Sequence, residues 1–526
     1  MTASHPLDER FSNPRFHHAL IGKLVDYMPT QRWFTSKGKT VRQCTAHGVY
    51  RVTEDSVLLV VHVDFADGSR ETYQMPLAQL EAVEDQMRYL KSHPGLILLR
   101  VPGGPFVVDA VPLPHFRKAL YALIRDGATT ADGLQCEAGR LLRNAPETAS
   151  SVVPSIDTSN TAIIYNDRFF FKLFRKLDPG LNPDLELVRY LSDKTSFTHS
   201  PPYGGSIGVG KMSQPDYLNL GMLSGKVDNR GDAWELFQEL TARYFAGDST
   251  VDEETLARAR LLGQRTAEMH LALSGETATV DTYQGKRSVM EQGTGAYGAG
   301  SAAGELMVPE SMTENYRREI TAAAEKLLDR QVRELRDKLP SLSPTQQSAA
   351  RRVLDREEEL KDRLRRLADA PMEVSLIRIH ADYHLGQVLV TDTDFCIIDF
   401  EGEPLLSIPE RRRKRPALKD VAGMVRSFHY AANAQLLLNP ERYTNREPEQ
   451  LQRLADHWYE TVRQAYLDGY YAHATSVSFL PDSAEDRQLL LELFILEKAV
   501  YEVAYELNSR PAWLGVPLRG VESLVG

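Results

Sequence analysis

The stretch Ile379-His380-Ala381-Asp382-Tyr383-His384-Leu385-Gly386-Gln387-Val388-Leu389, followed by Phe395-Cys396-Ile397-Ile398-Asp399, holds an acid, an amide five positions later, and a second acid closing an apolar run. Gln387 to Val390 and Phe395 to Ile398 are mostly apolar, and the polar Thr391 to Asp394 between them predicts a turn, so the segment reads as a hairpin. Around it the pattern is helical. Glu254 to Leu273 is helix-like, and Leu328, Val332, Leu335 and Leu339 recur at the spacings of three and four that one helix face requires. Ser343, Pro344 and Gln346 predict a capping box that opens another helix to about Ala368. These two charged helices predict an inserted helical hairpin over about 313–370.

Further towards the N-terminus a second hairpin is legible. Ala162 to Tyr165 and Arg168 to Phe174 are β-rich, and Asn166-Asp167 suits a two-residue turn whose central positions need positive φ. Asn182-Pro183 then reads as an N-cap with proline at the first helical position, opening a helix through Leu191. The first hundred residues predict a smaller unit: a helix around Phe16 to Tyr27, a strand over Val57 to Phe65, a turn at Asp67-Gly68, and a return over Glu71 to Met75.

Composition bounds the function. A chain of 526 residues exceeds one ordinary core, and at roughly 150 residues per domain it predicts two to four units. Hydrophobic residues at 42% and charged residues at 25% fit a globular protein. The formal charge of −10 argues against a general nucleic-acid binder, which needs cationic surface to displace phosphate counterions. The apolar run Val57 to Val61 is far shorter than the roughly 18 residues a membrane span requires. Met1 to Arg10 lacks a basic stretch followed by an apolar one, so no secretory leader is expected. Cys44, Cys136 and Cys396 are widely spaced without metal-ligand periodicity, which fits a reducing cytoplasm.

The acid, amide, acid pattern suits phosphoryl transfer from ATP. That reaction needs an oriented hydroxyl, a carboxylate to take its proton, and metal ions that neutralise charge on the phosphates. Asp382 fits the first carboxylate, while Gln387 and Asp399 offer the hard oxygen ligands that Mg²⁺ prefers.

The run His-x-Asp-x-x-x-x-Gln followed by Ile-Ile-Asp-Phe-Glu-Gly-Glu-Pro resembles the catalytic and metal loops of aminoglycoside-phosphotransferase-like kinases. His384 to Leu389, Asp399 to Pro404, Asp420-Val421-Ala422-Gly423-Met424 with Arg426-Ser427-Phe428, Tyr501 to Asn508 with Arg510-Pro511 and Trp513, and Arg32-Trp33-Phe34 resemble the maltokinase family in particular. This resemblance implies an α+β, bilobal protein-kinase-like fold: a cap subdomain over 1–95, a mixed β-sheet N-lobe over 96–225, and a mainly helical C-lobe over 226–526. It implies phosphorylation of maltose at its anomeric hydroxyl, with Asp382 as base and Gln387 and Asp399 holding magnesium. Lys172 would touch the ATP phosphates with Glu186 as its helix partner, and Ser159 and Asn160 would cover the nucleotide. For the sugar, aromatic faces and carboxylates are expected, and Glu401, Glu403, Tyr430, Tyr501, Tyr505, Glu506, Arg510 and Trp513 are the candidates. Glu506 also stands at helical spacing for an internal ion pair with Arg510. The resemblance admits a complex with trehalose synthase.

Ala381 stands where these kinases usually have glycine, and Asp157 to Thr161 lacks the glycines of a protein-kinase phosphate loop. Rival readings remain: a kinase for another sugar such as glucosamine, a silent scaffold, or a metallohydrolase in which a strand would align His380, Asp382 and His384 around zinc. Gly293-Thr294-Gly295-Ala296-Tyr297-Gly298 spells a dinucleotide fingerprint without the flanking strand and helix that give it meaning, and the surrounding Lys286 to Pro309 reads as a mobile loop. Arg411-Arg412-Arg413-Lys414-Arg415 reads as a solvated loop, and His270 as a core histidine.

Overall fold

The computed structural model describes residues 13–155, 159–247, 250–276, 279–280, 287–288, 307–444 and 446–524. The chain divides into two compact units, one of residues 1–193, 201–227 and 407–409, the other of residues 194–200, 228–406 and 410–526. The Gly-rich fingerprint at 293–298, most of the loop around it, and Asp157 and Thr158 lie outside the described residues.

The first unit holds two antiparallel sheets. One orders the strands Val41–Arg51, Ser56–Phe65, Arg70–Leu80, Phe106–Asp109 and Ile97–Arg100, with Lys176–Leu177 added against Arg70–Leu80. Three of these strands lie beyond residue 95. The expected turn at Asp67-Gly68 forms, with Gly68 at φ 83°. Val57, Leu59, Val61, Val63 and Phe65 share the strand's two-residue period and pack with Leu20 and Leu24 of the helix Pro14–Tyr27 and with Trp33 and Phe34. The other sheet runs Leu134–Ala138, Tyr203–Val209, Leu218–Gly225, Phe169–Leu173, Thr161–Tyr165 and Ser151–Val152. Asn166 and Asp167 take φ 53° and 54°, the doubly positive turn that the sequence demands.

Arg175 ties the two sheets together. It follows the strand Phe169–Leu173, and its guanidinium is buried on Asp109 at 3.0 Å, on Thr161 Oγ1 at 2.8 Å and over the Trp33 ring at 4.9 Å. Removing one partner of a buried ion pair strands the other charge in low dielectric. Asp109→Ala is therefore expected to lower unfolding stability by about 3–5 kcal/mol in urea denaturation. A loss below about 1 kcal/mol would show that Arg175 is satisfied without it.

The second unit is mainly helical. Helices Glu253–Ser274 and Pro448–His473 approach so closely that a Cβ on Gly263 would lie 2.1 Å from the Tyr466 carbonyl oxygen, and one on Gly469 2.0 Å from that of Arg260. The predicted capping box of Ser343 and Gln346 forms. The helix it opens stops at Asp355, however, and a second one, Glu357–Asp369, resumes after Arg356 leaves helical geometry at φ −109°, ψ 17°. Leu339 also belongs to a tight turn, Leu339–Ser341, after the helix Glu314–Lys338.

Candidate active site

In the second unit, strands Val388–Val390 and Phe395–Ile397 form the predicted hairpin, with Val388 opposite Ile397 and Val390 opposite Phe395. Its two ends bring Gln387 and Asp399 together, the amide Nε2 donating to Asp399 Oδ2 at 3.1 Å. Asp399 adopts φ 66° and Ala381 φ 69°, conformations that cost an L-residue roughly 1 kcal/mol or more. Ala381 thus occupies a position where glycine would be strain-free.

The loop before the hairpin is held by Asp420, near the start of the helix Leu418–Leu438. Its carboxylate accepts from the backbone N–H of His380 at 2.7 Å and of Ala381 at 2.9 Å. His270 Nε2, fully buried, approaches the same carboxylate at 3.2 Å, while its Nδ1 meets the Tyr470 hydroxyl at 2.9 Å. Because a ring nitrogen facing a carboxylate carries the proton, Nδ1 accepts from Tyr470. A Cβ on Gly423 would fall 2.6 Å from the Tyr383 carbonyl oxygen, so only glycine lets this helix reach the loop. His270 is the core histidine expected, with both nitrogens engaged.

Asp382 follows directly. Its N–H donates to His380 Nδ1 at 3.4 Å, and His380 Nε2 donates to the Ile398 carbonyl oxygen at 2.9 Å, which braces the loop against the hairpin. His384 Nδ1 accepts from Gly386 N–H, and burial pulls its pKa below the usual imidazole value against the raising effect of Asp382. His380, Asp382 and His384 lie on an irregular loop, not a strand, and their ligand atoms do not gather into a metal cluster among the described residues.

In the first unit, Lys172 lies on the strand Phe169–Leu173 and pairs with Asp184 Oδ2 at 3.1 Å. Asp184 and Glu186 both stand in the first turn of the helix Pro183–Lys194, and Asn182 caps it by accepting from Asp184 N–H at 2.8 Å. Glu186 is buried there. Sequence reasoning chose Glu186 and overlooked Asp184, although both are acids in the same turn. Asn160 Oδ1 accepts from Arg175 N–H at 3.4 Å, and Ser159 is exposed beside it.

The acceptor candidates fall into two groups, both in the second unit. Lys498, on the helix Ala484–Ser509, places its ammonium 3.8 Å from Asp382 Oδ1 and 5.6 Å from the Tyr501 ring centre. Burial lowers the Lys498 pKa, but Asp382, Glu502 and Glu403 outweigh it and the net shift is upward. The same neighbours act on Tyr501, which burial, Glu403 and Asp382 push up against Lys498. Asp382, Glu403 and Tyr501 are thus electrostatic neighbours around a lysine that sequence reasoning missed, though it stands three residues before Tyr501.

In the second group Tyr430 stacks on Trp513 with centroids 6.1 Å apart and 14° between planes. Arg510 lies over Trp513 and Tyr505 and grips the buried Glu506 through both nitrogens, at 3.0 and 2.6 Å, while the Tyr430 hydroxyl donates to Glu506 at 3.1 Å. Glu506 therefore aligns this aromatic shelf through the internal pair its spacing allowed. Tyr505 and Tyr501 remain 48% and 39% exposed. Glu401 stands two residues past Asp399, half-buried.

The basic run is less solvated than its composition suggests. Arg411 is buried, and its Nε donates to the Leu406 carbonyl oxygen at 2.7 Å. Arg413 pairs with Glu319, and Lys414 with Glu310. These acids flank the start of the helix Glu314–Lys338, so the run serves as an anchor for the helical hairpin.

Comparison with known proteins agrees with this fold. Residues 27–112 match the family model of the maltokinase N-terminal cap domain, and residues 215–403 that of the phosphotransferase enzyme family. A glucosamine kinase of Streptacidiphilus jiangxiensis is 25% identical over 75% of this chain and 77% of its own length. One of Mycolicibacterium smegmatis (strain ATCC 700084 / mc(2)155) is 28% identical over 28% of this chain and 34% of its own length. A solved glucosamine kinase in complex with glucosamine, ADP and inorganic phosphate shares the fold, with TM-score 0.64 and 18% identity over 95% of this chain and 99% of the other. No helix among the described residues is long and apolar enough to cross a membrane. The chain thus carries a region that matches the maltokinase N-terminal cap domain and a region that matches the phosphotransferase enzyme family, within a protein-kinase-like fold.

Proposed function

We propose that this protein is an ATP-dependent sugar kinase, and that maltose, phosphorylated at its anomeric hydroxyl to maltose 1-phosphate for α-glucan synthesis, is its acceptor. The observation that carries the kinase reading is the Gln387 and Asp399 pair at 3.1 Å, set behind a loop whose Asp382 is fixed through Asp420. Asp382 takes the proton of the sugar hydroxyl as its oxygen bonds to the γ-phosphorus, and the bond from that phosphorus to the β–γ bridging oxygen breaks. Lys172 steadies the ATP phosphates, with Asp184 and Glu186 orienting it, and Ser159 and Asn160 line the nucleotide. Gln387 and Asp399 offer only hard oxygen donors to a metal, which suits magnesium, and they would hold it. Bound there, magnesium supplies charge neutralisation for the phosphates. The aromatic shelf of Tyr430, Trp513 and Tyr505 covers apolar sugar faces, and Glu401 and Glu403 accept hydroxyl protons.

Maltose rests on the cap-domain match, which covers residues 27–112. Glucosamine is the second reading, favoured by the 25% identical relative of that activity. A panel of sugars with Mg-ATP, read by ³¹P NMR, separates them. An anomeric phosphate formed with maltose is the expected outcome. Product from glucosamine alone would transfer the assignment, and ATP turnover with no sugar in the panel would end the sugar-kinase reading. The localisation that fits ATP chemistry is the cytoplasm, and a trehalose synthase partner fits the maltose reading.

A further inference from the structure

Lys498 is not explained by the packing of its helix. Its neighbour Glu497 makes a short pair with Lys419 at 2.9 Å, as a structural surface pair does. The Lys498 ammonium instead stops 3.8 Å from Asp382 Oδ1, beyond hydrogen-bond reach, and keeps 34% of its side chain exposed. The charged groups that face it are Asp382, Glu403 and Glu502, with the Tyr501 ring against it. Glu502 is already committed to Arg426, whose Nε and Nη2 donate to it at 2.9 and 2.7 Å. The cation is therefore left to Asp382 and Glu403, on the side of the helix that carries Tyr501 and Tyr505. Resting on the kinase reading above, we infer that Lys498 is a positioning residue for the candidate base: its ammonium orients the Asp382 carboxylate towards the acceptor hydroxyl.

The geometry suits this role. Asp382 is bonded to its loop through its backbone N–H, while among the described residues the charged partner of its carboxylate is Lys498. Without the cation, the carboxylate would rotate among orientations of which few point at the hydroxyl, and small misplacements of a reacting group lower rates by up to about 10²-fold. A lysine of merely structural importance would act equally with or without a carboxylate at 382. One that works through the carboxylate would lose its effect when the carboxylate is gone, which is what a double-mutant cycle isolates.

The test uses the full-length protein with Mg-ATP and, in separate arms, maltose and glucosamine, following ADP release. Lys498→Met is expected to lower kcat about 30-fold with KM for ATP within about three-fold, and Lys498→Arg to recover most of the loss. In an Asp382→Asn background, Lys498→Met should cost less than about three-fold. Thermal melting of each variant checks that it is folded. If the wild type turns over and Lys498→Met stays within about three-fold of it, or if the 30-fold loss persists in the Asp382→Asn background, the inference is overturned while the kinase reading stands. If the wild type releases no ADP with either sugar, the acceptor reading fails first, and the inference with it.

Discussion

Asp382→Asn is expected to lower kcat by about 10²–10⁴-fold while leaving the affinity for ATP nearly unchanged, because loss of a positioned base removes proton transfer and little else. The substitution is nearly isosteric. The N–H of residue 382 still reaches His380 Nδ1, and the Asp420 contacts to residues 380 and 381 do not involve the altered side chain. The loop should keep its shape, so the loss reports chemistry and not misfolding. Steady-state kinetics with nucleotide affinity from calorimetry checks both halves of the expectation. A fall in kcat of less than ten-fold would remove Asp382 from the role of base.

Asp420→Ala should damage both stability and turnover. Its carboxylate takes one buried and one partly buried backbone N–H group and faces a fully buried imidazole. A buried donor left unsatisfied costs about 1–3 kcal/mol, so the His380 N–H alone gives an expected destabilisation of about 1–3 kcal/mol. The same contacts hold Ala381 at its positive φ, which is unfavourable without them. When the loop relaxes, Asp382 and the hairpin ends shift together, and a displacement near 1 Å is enough for about a 10²-fold loss of kcat. Asp420→Asn keeps one acceptor but turns an amide N–H towards a donor, so its damage should be intermediate. Chemical denaturation with parallel kinetics tests the pair. Full activity in Asp420→Ala would show that the loop holds its geometry by itself.

In the aromatic shelf, residue type and surroundings in the fold diverge. Glu506 entered as a sugar contact because carboxylates accept hydroxyl protons, yet it is buried and bound by Arg510 and Tyr430. Its spacing of four residues from Arg510 already allowed that pair on the helix. Exposure, which the sequence does not carry, distinguishes Tyr501 and Tyr505 from it.

Features set by neighbours in the chain were legible from the residues alone. Asn166-Asp167 dictated a doubly positive turn, Ser343 and Gln346 a capping box, Asn182-Pro183 a helix start, and the apolar runs around 391–394 a hairpin that joins Gln387 to Asp399. In each, the interacting atoms lie within about a dozen residues or are brought together by one short turn, so side-chain chemistry and backbone sterics decide the outcome. The break at Arg356 went unseen because local helix signals on both sides are strong. What only the tertiary structure decided are the pairings across distant segments: Asp109 with Arg175, Asp420 with the loop at 380 and 381, and Lys498 with Asp382. Buried and partly buried charges choose partners by proximity in the folded chain, where desolvation makes each unpaired one costly, and no local pattern records which distant segment will be adjacent.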